Sequence, residues 1–203
     1  MPTVTTVPTA QTFSTAISPT SYSTSATPGT AVALDLRGKE GAWVLVRIGR
    51  NAATALTRSA YVSIRRTDDD TIIHPDNSYD CISSTVAVNA TTVSSGGAAG
   101  ATTVVLASGT GFAAGQQVCL QLSGARCEFV QITDLNSATI TIDRTAGFRV
   151  SHDASDVVTN GADIFTRWVP GGDQWTITPV NNSGQTVVMS VEVQVANGYT
   201  GTY

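Results

Sequence analysis

Two similar stretches decide the fold: "ATTVVLASGTGFAAGQQVCL" at residues 101–120 and "ITIDRTAGFRVSHDASDVV" at residues 140–158. Each places a Gly-Phe pair between an alternating strand and a polar loop, and each loop leads into a second apolar run. Glycine adopts a positive φ without steric cost. We therefore expect Gly111-Phe112 and Gly147-Phe148 to turn an edge strand back into its sheet. The two phenylalanine rings would cap a small barrel, which is a folding role and needs no chemistry.

The surrounding residues favour extended structure throughout the chain. Charged residues make up 13% of the 203 residues, against the usual quarter, and Thr, Ser, Ala, Val and Gly replace them. β-Branched residues fit a pleated, half-buried surface. Apolar side chains also recur with period 2, as in Val118 and Leu120 or Ile140 and Ile142. The sequence therefore predicts an all-β chain.

The flanking regions predict a β-sandwich with an insertion. The run "AWVLVRIG" at residues 42–49 is apolar on both faces, as in a central strand that is covered on both sides. Trp43 and Trp168 lie within strands and are expected in the core. We predict that residues 31–81 and 160–203 form the sandwich and that residues 82–159 form an inserted β module. The alternative is one continuous, larger sandwich.

The N-terminal region differs from the rest in composition. Residues 1–30 contain no charged residue, fifteen Ser or Thr, and four prolines. Ordering a backbone costs about 1–2 kcal/mol per residue, so an ordered arm of this kind needs a surface to lie on. We expect an extended arm that contacts a neighbouring subunit, with the aromatic tail at residues 196–203 as a second contact. The alternative is an arm that folds back along its own domain. The predicted interface residues are Val4, Val7, Phe13, Ile17, Tyr22, Tyr199 and Tyr203.

Charge and cysteine content exclude several classes of protein. The net charge is −4, and the ten arginines are scattered among acidic residues, which argues against binding to nucleic acid. No run of 18 apolar residues predicts a membrane span, and no secretory signal is recognisable in the sequence. Three cysteines without a CxxC spacing support neither a disulfide framework nor a zinc site. Buried thiols in a chain made in reducing cytoplasm are expected.

Neither histidine lies in a recognisable catalytic pattern. His74 and His152 both have aspartates nearby, but no nucleophile motif accompanies them. The acidic run "TDDDT" at residues 67–71 projects its carboxylates in different directions and lacks the spacing of a Ca²⁺ loop. We therefore expect no catalytic residue, no metal site and no cofactor, and predict that the protein is not an enzyme.

Residues 101–158 resemble the small β modules that recur in virion proteins of tailed bacteriophages. Those modules show Gly-Phe-x-x-Gly-polar-x-Val, then V-x-x-V, T-L-T-L-D and F-x-x-x-H. This sequence departs from them with Gln116, where the module often has Asp. The matching positions are Gly111, Phe112, Gly115, Val118, Val130, Ile132, Thr139, Ile140, Thr141, Ile142, Asp143, Phe148 and His152.

The flanks, including "LDLRGKEGAWVLVRIGR", resemble small phage structural proteins, which we group with head decoration or cement proteins. The resemblance implies a virion protein, assembled in the host cytoplasm, that binds the outer head surface and staples neighbouring capsid subunits. Its implied partners are the major capsid protein and copies of itself. One alternative is a tail, neck or fibre component. Another, from a different class, is a carbohydrate-binding β module with the tryptophans as the sugar platform.

Overall fold

A computed structural model describes residues 14–22, 28–68, 72–121 and 127–197, with residue 68 and residues 72–77 described in backbone only. The described residues contain β-strands and no α-helix, which confirms the prediction of an all-β chain. The strands, numbered along the chain, are β1 (Ser14–Tyr22), β2 (Val32–Asp35), β3 (Lys39–Arg50), β4 (Ala60–Asp68), β5 (Ile72–Ile82), β6 (Ala90–Ser95), β7 (Thr103–Leu106), β8 (Gln117–Gln121), β9 (Cys127–Asn136), β10 (Thr139–Ile142), β11 (Val157–Asn160), β12 (Asp163–Pro170), β13 (Gln174–Asn181) and β14 (Val187–Asn197).

Two four-stranded antiparallel sheets come from the two ends of the chain. The first sheet has the order β1-β14-β3-β12, and the second has the order β2-β13-β4-β5. Their inner faces share one hydrophobic core, as in a β-sandwich. Strand β14 shows the predicted alternation, because Val187, Met189, Val191 and Val193 all point into this core.

The segment between β5 and β12 forms a closed six-stranded barrel with the order β10-β7-β6-β11-β8-β9. The barrel has a core of its own, separate from that of the sandwich. Phe112 and Phe148 both lie in it, and Gly111 and Gly147 both have positive φ, of 84° and 71°. Each Gly-Phe pair therefore turns the chain and buries its ring, as the sequence predicts. The buried core residues are Val93, Val104, Leu106, Phe112, Val118, Leu120, Val130, Ile132, Ile140, Ile142, Phe148 and Val158.

Both ends of the barrel segment meet at one place beside the sandwich. The backbone N–H of Ser84, just after β5, donates to Oδ2 of Asp163, the first residue of β12, at 2.9 Å. The carbonyl of Arg50, at the end of β3, accepts hydrogen bonds from Thr159 Oγ1 at 2.7 Å and Gln121 Nε2 at 3.3 Å. The Arg50 guanidinium donates to the carbonyls of Ser84 and Val86.

A small apolar cluster completes the contact between barrel and sandwich. Cys119, Cys127 and Phe129 of the barrel pack against Val188 of β14. Cys119 and Cys127 are buried as free thiols, and burial raises the pKa of Cys127 above its ordinary value. The barrel is thus attached by two chain crossings, hydrogen bonds around Arg50 and one apolar cluster.

Strand β1 contains two of the predicted interface residues, and it lies on a sheet of its own chain. Ile17 and Tyr22 are expected to contact a neighbouring subunit, but β1 pairs antiparallel with β14 of the same chain. Ile17 is buried in the sandwich core, and Tyr22 packs partly against that core. Pairing with β14 satisfies the backbone hydrogen bonds along one side of β1 and buries Ile17. The pairing shifts register twice, between Thr15 and Ile17 and again before Thr20.

The other predicted interface residues lie outside the described residues. They are Val4, Val7, Phe13, Tyr199 and Tyr203.

Candidate functional site on the outer face of the first sheet

Two tryptophans form an exposed pair on the outer face of the first sheet. Trp43 of β3 and Trp168 of β12 are direct cross-strand partners. Their ring centroids lie 5.2 Å apart with the ring planes at 63°, an edge-to-face contact. The two residues remain 44% and 37% exposed, so the expectation that they belong to the core is wrong. Ala42 and Val44 fill the inward positions of β3, and alternation therefore sends Trp43 outward.

The apolar surface continues along the same face. Ile164 of β12 is 38% exposed and lies four residues before Trp168, on the same side of the strand. Leu45 of β3 lies between them in register and is half-buried. Contiguous exposed apolar surface of this kind marks sites of interaction with other molecules.

A cavity of about 310 Å³ opens where this face meets the barrel. The sheet contributes Arg47, Ser190 and Glu192, which point outward because their neighbours Val46, Met189 and Val191 fill the core. Arg47 Nη1 and Glu192 Oε1 lie 3.0 Å apart as an ion pair. The barrel contributes Arg144 and Arg149, so three guanidinium groups line one cavity.

Glu128 of β9 organises the barrel side of the cavity. Its side chain is only 5% exposed, and it forms an ion pair with Arg144 Nη1. Glu128 Oε1 also accepts the backbone N–H of Arg149 at 2.9 Å, and Oε2 lies 3.2 Å from His152 Nε2. A buried carboxylate is tolerated only with such partners. Glu128 therefore fixes the loop that carries the arginines.

The cavity concentrates positive charge. Burial lowers the pKa of Arg144, the positive charges of Arg149 and Arg47 lower it further, and Glu192 acts in the opposite direction. The three guanidinium groups are thus close enough to repel one another. Guanidinium groups stay protonated in proteins, so this repulsion persists at neutral pH.

His152 lies behind Glu128, inside the barrel. Its side chain is fully buried, with the ring edge-to-face against Phe148 at a centroid distance of 4.9 Å. Nδ1 is 3.5 Å from Asp156 Oδ2, at the limit of a hydrogen bond. Burial lowers the pKa of His152, while the Asp156 carboxylate acts in the opposite direction. Within the described residues no hydroxyl or thiol bonds to this ring, and its contacts are those of a structural histidine.

The described residues also hold no group of three side chains suited to bind a metal ion. They include no helix long and apolar enough to cross a bilayer.

Sequence reasoning missed Glu128 and the arginine cavity. A signal for Glu128 exists, because Glu128, Val130 and Ile132 alternate on one strand and two of them face the barrel interior. A carboxylate in that series has to be buried with partners. The arginine cluster has no such signal, since Arg47 is about a hundred residues from Arg144 along the chain.

Neither protein-family models nor curated proteins nor solved structures give a match to this chain.

Proposed function

We propose that the protein is a non-enzymatic structural component of a tailed-bacteriophage particle. It acts as a decoration or cement protein that binds the outer head surface and joins neighbouring capsid subunits. The observation that carries the proposal is the exposed Trp43–Trp168 pair, on a part of the outer sheet face that the described barrel residues do not cover. The resemblance of residues 101–158 to virion β modules is the reason for proposing a tailed-bacteriophage particle.

The partner of this face is the major capsid protein. Tryptophan is enriched among the residues that dominate binding energy at protein interfaces. A tryptophan side chain presents up to about 250 Å², so covering the exposed two-fifths of each ring removes roughly 100 Å² from water. At about 25 cal/mol per Å², the pair contributes on the order of 5 kcal/mol before the cost of association.

That contribution is modest for one copy, and a repeating surface compensates for it. When several sites are engaged at once, later contacts form at high effective concentration, and overall avidity exceeds the affinity of one site by about 10²–10⁴. Contacts between neighbouring copies of the protein would raise the overall avidity further. A capsid lattice with the protein as a homo-oligomer meets both conditions.

The geometry of the tryptophans favours a protein partner over a glycan. Two rings whose planes meet at 63° cannot form one flat platform on which successive sugar rings stack. An edge-to-face pair presents an uneven apolar surface instead, which suits a protein partner. A carbohydrate-binding module remains the second candidate, because two tryptophan side chains are exposed side by side, although the angle between their rings disfavours it.

Co-sedimentation with phage heads assembled without the protein tests the proposal. Wild-type protein should sediment with the heads, and the double variant Trp43→Ala, Trp168→Ala should lose at least about tenfold in affinity, from the loss of two anchors. Ile82→Ala is the matched control, since Ile82 is 53% exposed on β5 of the second sheet. Equal binding by the double variant would rule out this face as the contact.

A glycan array and particle imaging separate the alternatives. Binding of the wild-type protein to glycans but not to heads would favour the carbohydrate module. Labelled protein found on the tail, neck or fibres would favour the second phage location.

A further inference from the structure

We propose that the cavity between the sandwich and the barrel is a binding site for a carboxylate group, carried by a sugar acid or by an acidic amino-acid side chain. The site is independent of the tryptophan surface and of the proposed capsid role. Its volume of about 310 Å³ lies at the lower end of the range for ligand pockets, which suits one sugar ring or one side chain.

The charges around the cavity favour a monoanion. Among the described lining residues, Arg47, Arg144 and Arg149 contribute three positive charges, and Glu128 and Glu192 contribute two negative charges, which gives these residues a net charge of +1. One carboxylate neutralises this charge. A phosphate dianion would leave an excess negative charge beside two buried or half-buried carboxylates.

Arg149 is the guanidinium that receives the ligand. Arg144 is engaged by Glu128 and by the carbonyl of Phe129 at 3.1 Å, and Arg47 is engaged by Glu192. The Arg149 backbone bonds to Glu128, but its guanidinium makes no hydrogen bond or ion pair to any described residue. The planar guanidinium fork matches the two oxygens of a carboxylate.

Ser190 supplies a second donor from the sheet. It lines the cavity, is 2% exposed, and its Oγ has no hydrogen-bond partner among the described residues. A buried hydroxyl without a partner is unfavourable, and most such groups in proteins are satisfied. A carboxylate oxygen held by Arg149 can accept a hydrogen bond from the Ser190 hydroxyl, which would then no longer lack a partner.

Titration calorimetry of the full chain with small probes tests the site. Glucuronate represents a sugar acid and N-acetylglutamate N-methylamide represents an acidic side chain, with glucose as the neutral control. Tighter binding of either carboxylate than of glucose supports the proposal, and the tighter of the two identifies the source. Inorganic phosphate binding more tightly than both, or neither carboxylate binding more tightly than glucose, would overturn it.

Two substitutions have opposite expected effects. Arg149→Gln should weaken carboxylate binding by about tenfold or more, because a hydrogen bond to a charged group is lost. Glu192→Gln should strengthen binding, because it frees Arg47 and raises the net charge of the cavity. Arg58→Gln, at an exposed arginine that does not line the cavity, should leave binding unchanged. Unchanged binding by Arg149→Gln or weaker binding by Glu192→Gln would refute the assignment, provided that far-UV circular dichroism shows both variants folded.

Discussion

Replacing Phe148 by alanine should destabilise the barrel while leaving the sandwich nearly intact. Phe148 is 1% exposed in the barrel core, and the ring of His152 meets it edge-to-face. The backbone also packs directly on this ring, since a Cβ added to Gly97 would lie 3.4 Å from it. A truncation of this size in a well-packed core costs about 3–5 kcal/mol. For a unit of 60–100 residues, that loss lowers the melting temperature by more than about 10 °C.

The distribution of aromatic residues provides the assay. The chain has three tryptophans and five tyrosines, and none of them lies in residues 82–159. Tryptophan fluorescence therefore reports the sandwich alone, whereas calorimetry and far-UV circular dichroism report both units. In Phe148→Ala we expect a calorimetric transition to move to lower temperature or disappear, while the fluorescence transition stays within about 2–3 °C of wild type, a shift on the scale of a few tenths of a kcal/mol.

A matched control and a clear contrary result complete the experiment. Val105→Ala removes an exposed side chain from strand β7 of the barrel and should change neither transition. If the fluorescence transition of Phe148→Ala falls together with the calorimetric one, the barrel and sandwich unfold as one cooperative unit. The two cores would then not have separate free energies of unfolding.

Three further perturbations test other parts of the structure. Burial lowers the pKa of His152 below its ordinary 6.5, so the unfolded chain binds this proton first and stability should fall as the pH drops from 7.5 to 5.5. His152→Gln should flatten that dependence in denaturant titrations, and an equal slope in both proteins would contradict the assignment. Gly147→Ala should cost more than Gly100→Ala in calorimetry, because both residues have positive φ but only the Cβ at 147 would collide with backbone. Arg50→Met should accelerate amide hydrogen exchange at residues 84–88, because the guanidinium no longer holds the carbonyls there; unchanged exchange would show that the junction is held by other contacts.

Local alternation predicts which strands exist and which of their faces are apolar. Met189 and Val191 illustrate this, since period 2 alone places both on the apolar face, which packs in the sandwich core, and Ser190 on the opposite face. The Gly-Phe pairs are also predictable from adjacent residues, because the glycine allows the chain to turn and the phenylalanine ring next to it fills the barrel core. These features depend on a few adjacent residues and are therefore readable from the sequence.

Features that depend on contacts between residues distant in sequence cannot be predicted from local alternation. Strand β3 is apolar on both faces, but nothing in its sequence shows that only one face is covered, so Trp43 is wrongly expected inside. The pairing of Ile17 with Val191 joins residues far apart in the chain, and no local pattern identifies the partner. The cavity also depends on residues that are distant in sequence, since Arg47 and Arg149 come together only when the barrel packs against the sandwich.

The double shift of register in β1 affects how copies of this protein can coexist at high density. β1 forms one edge of the first sheet, and an edge strand offers unpaired backbone groups to any neighbouring chain. Irregular pairing, with Pro19 in the same strand, makes this edge a poor template for a further strand. At this edge, crowded molecules would therefore meet through side chains rather than extend the first sheet with a further strand.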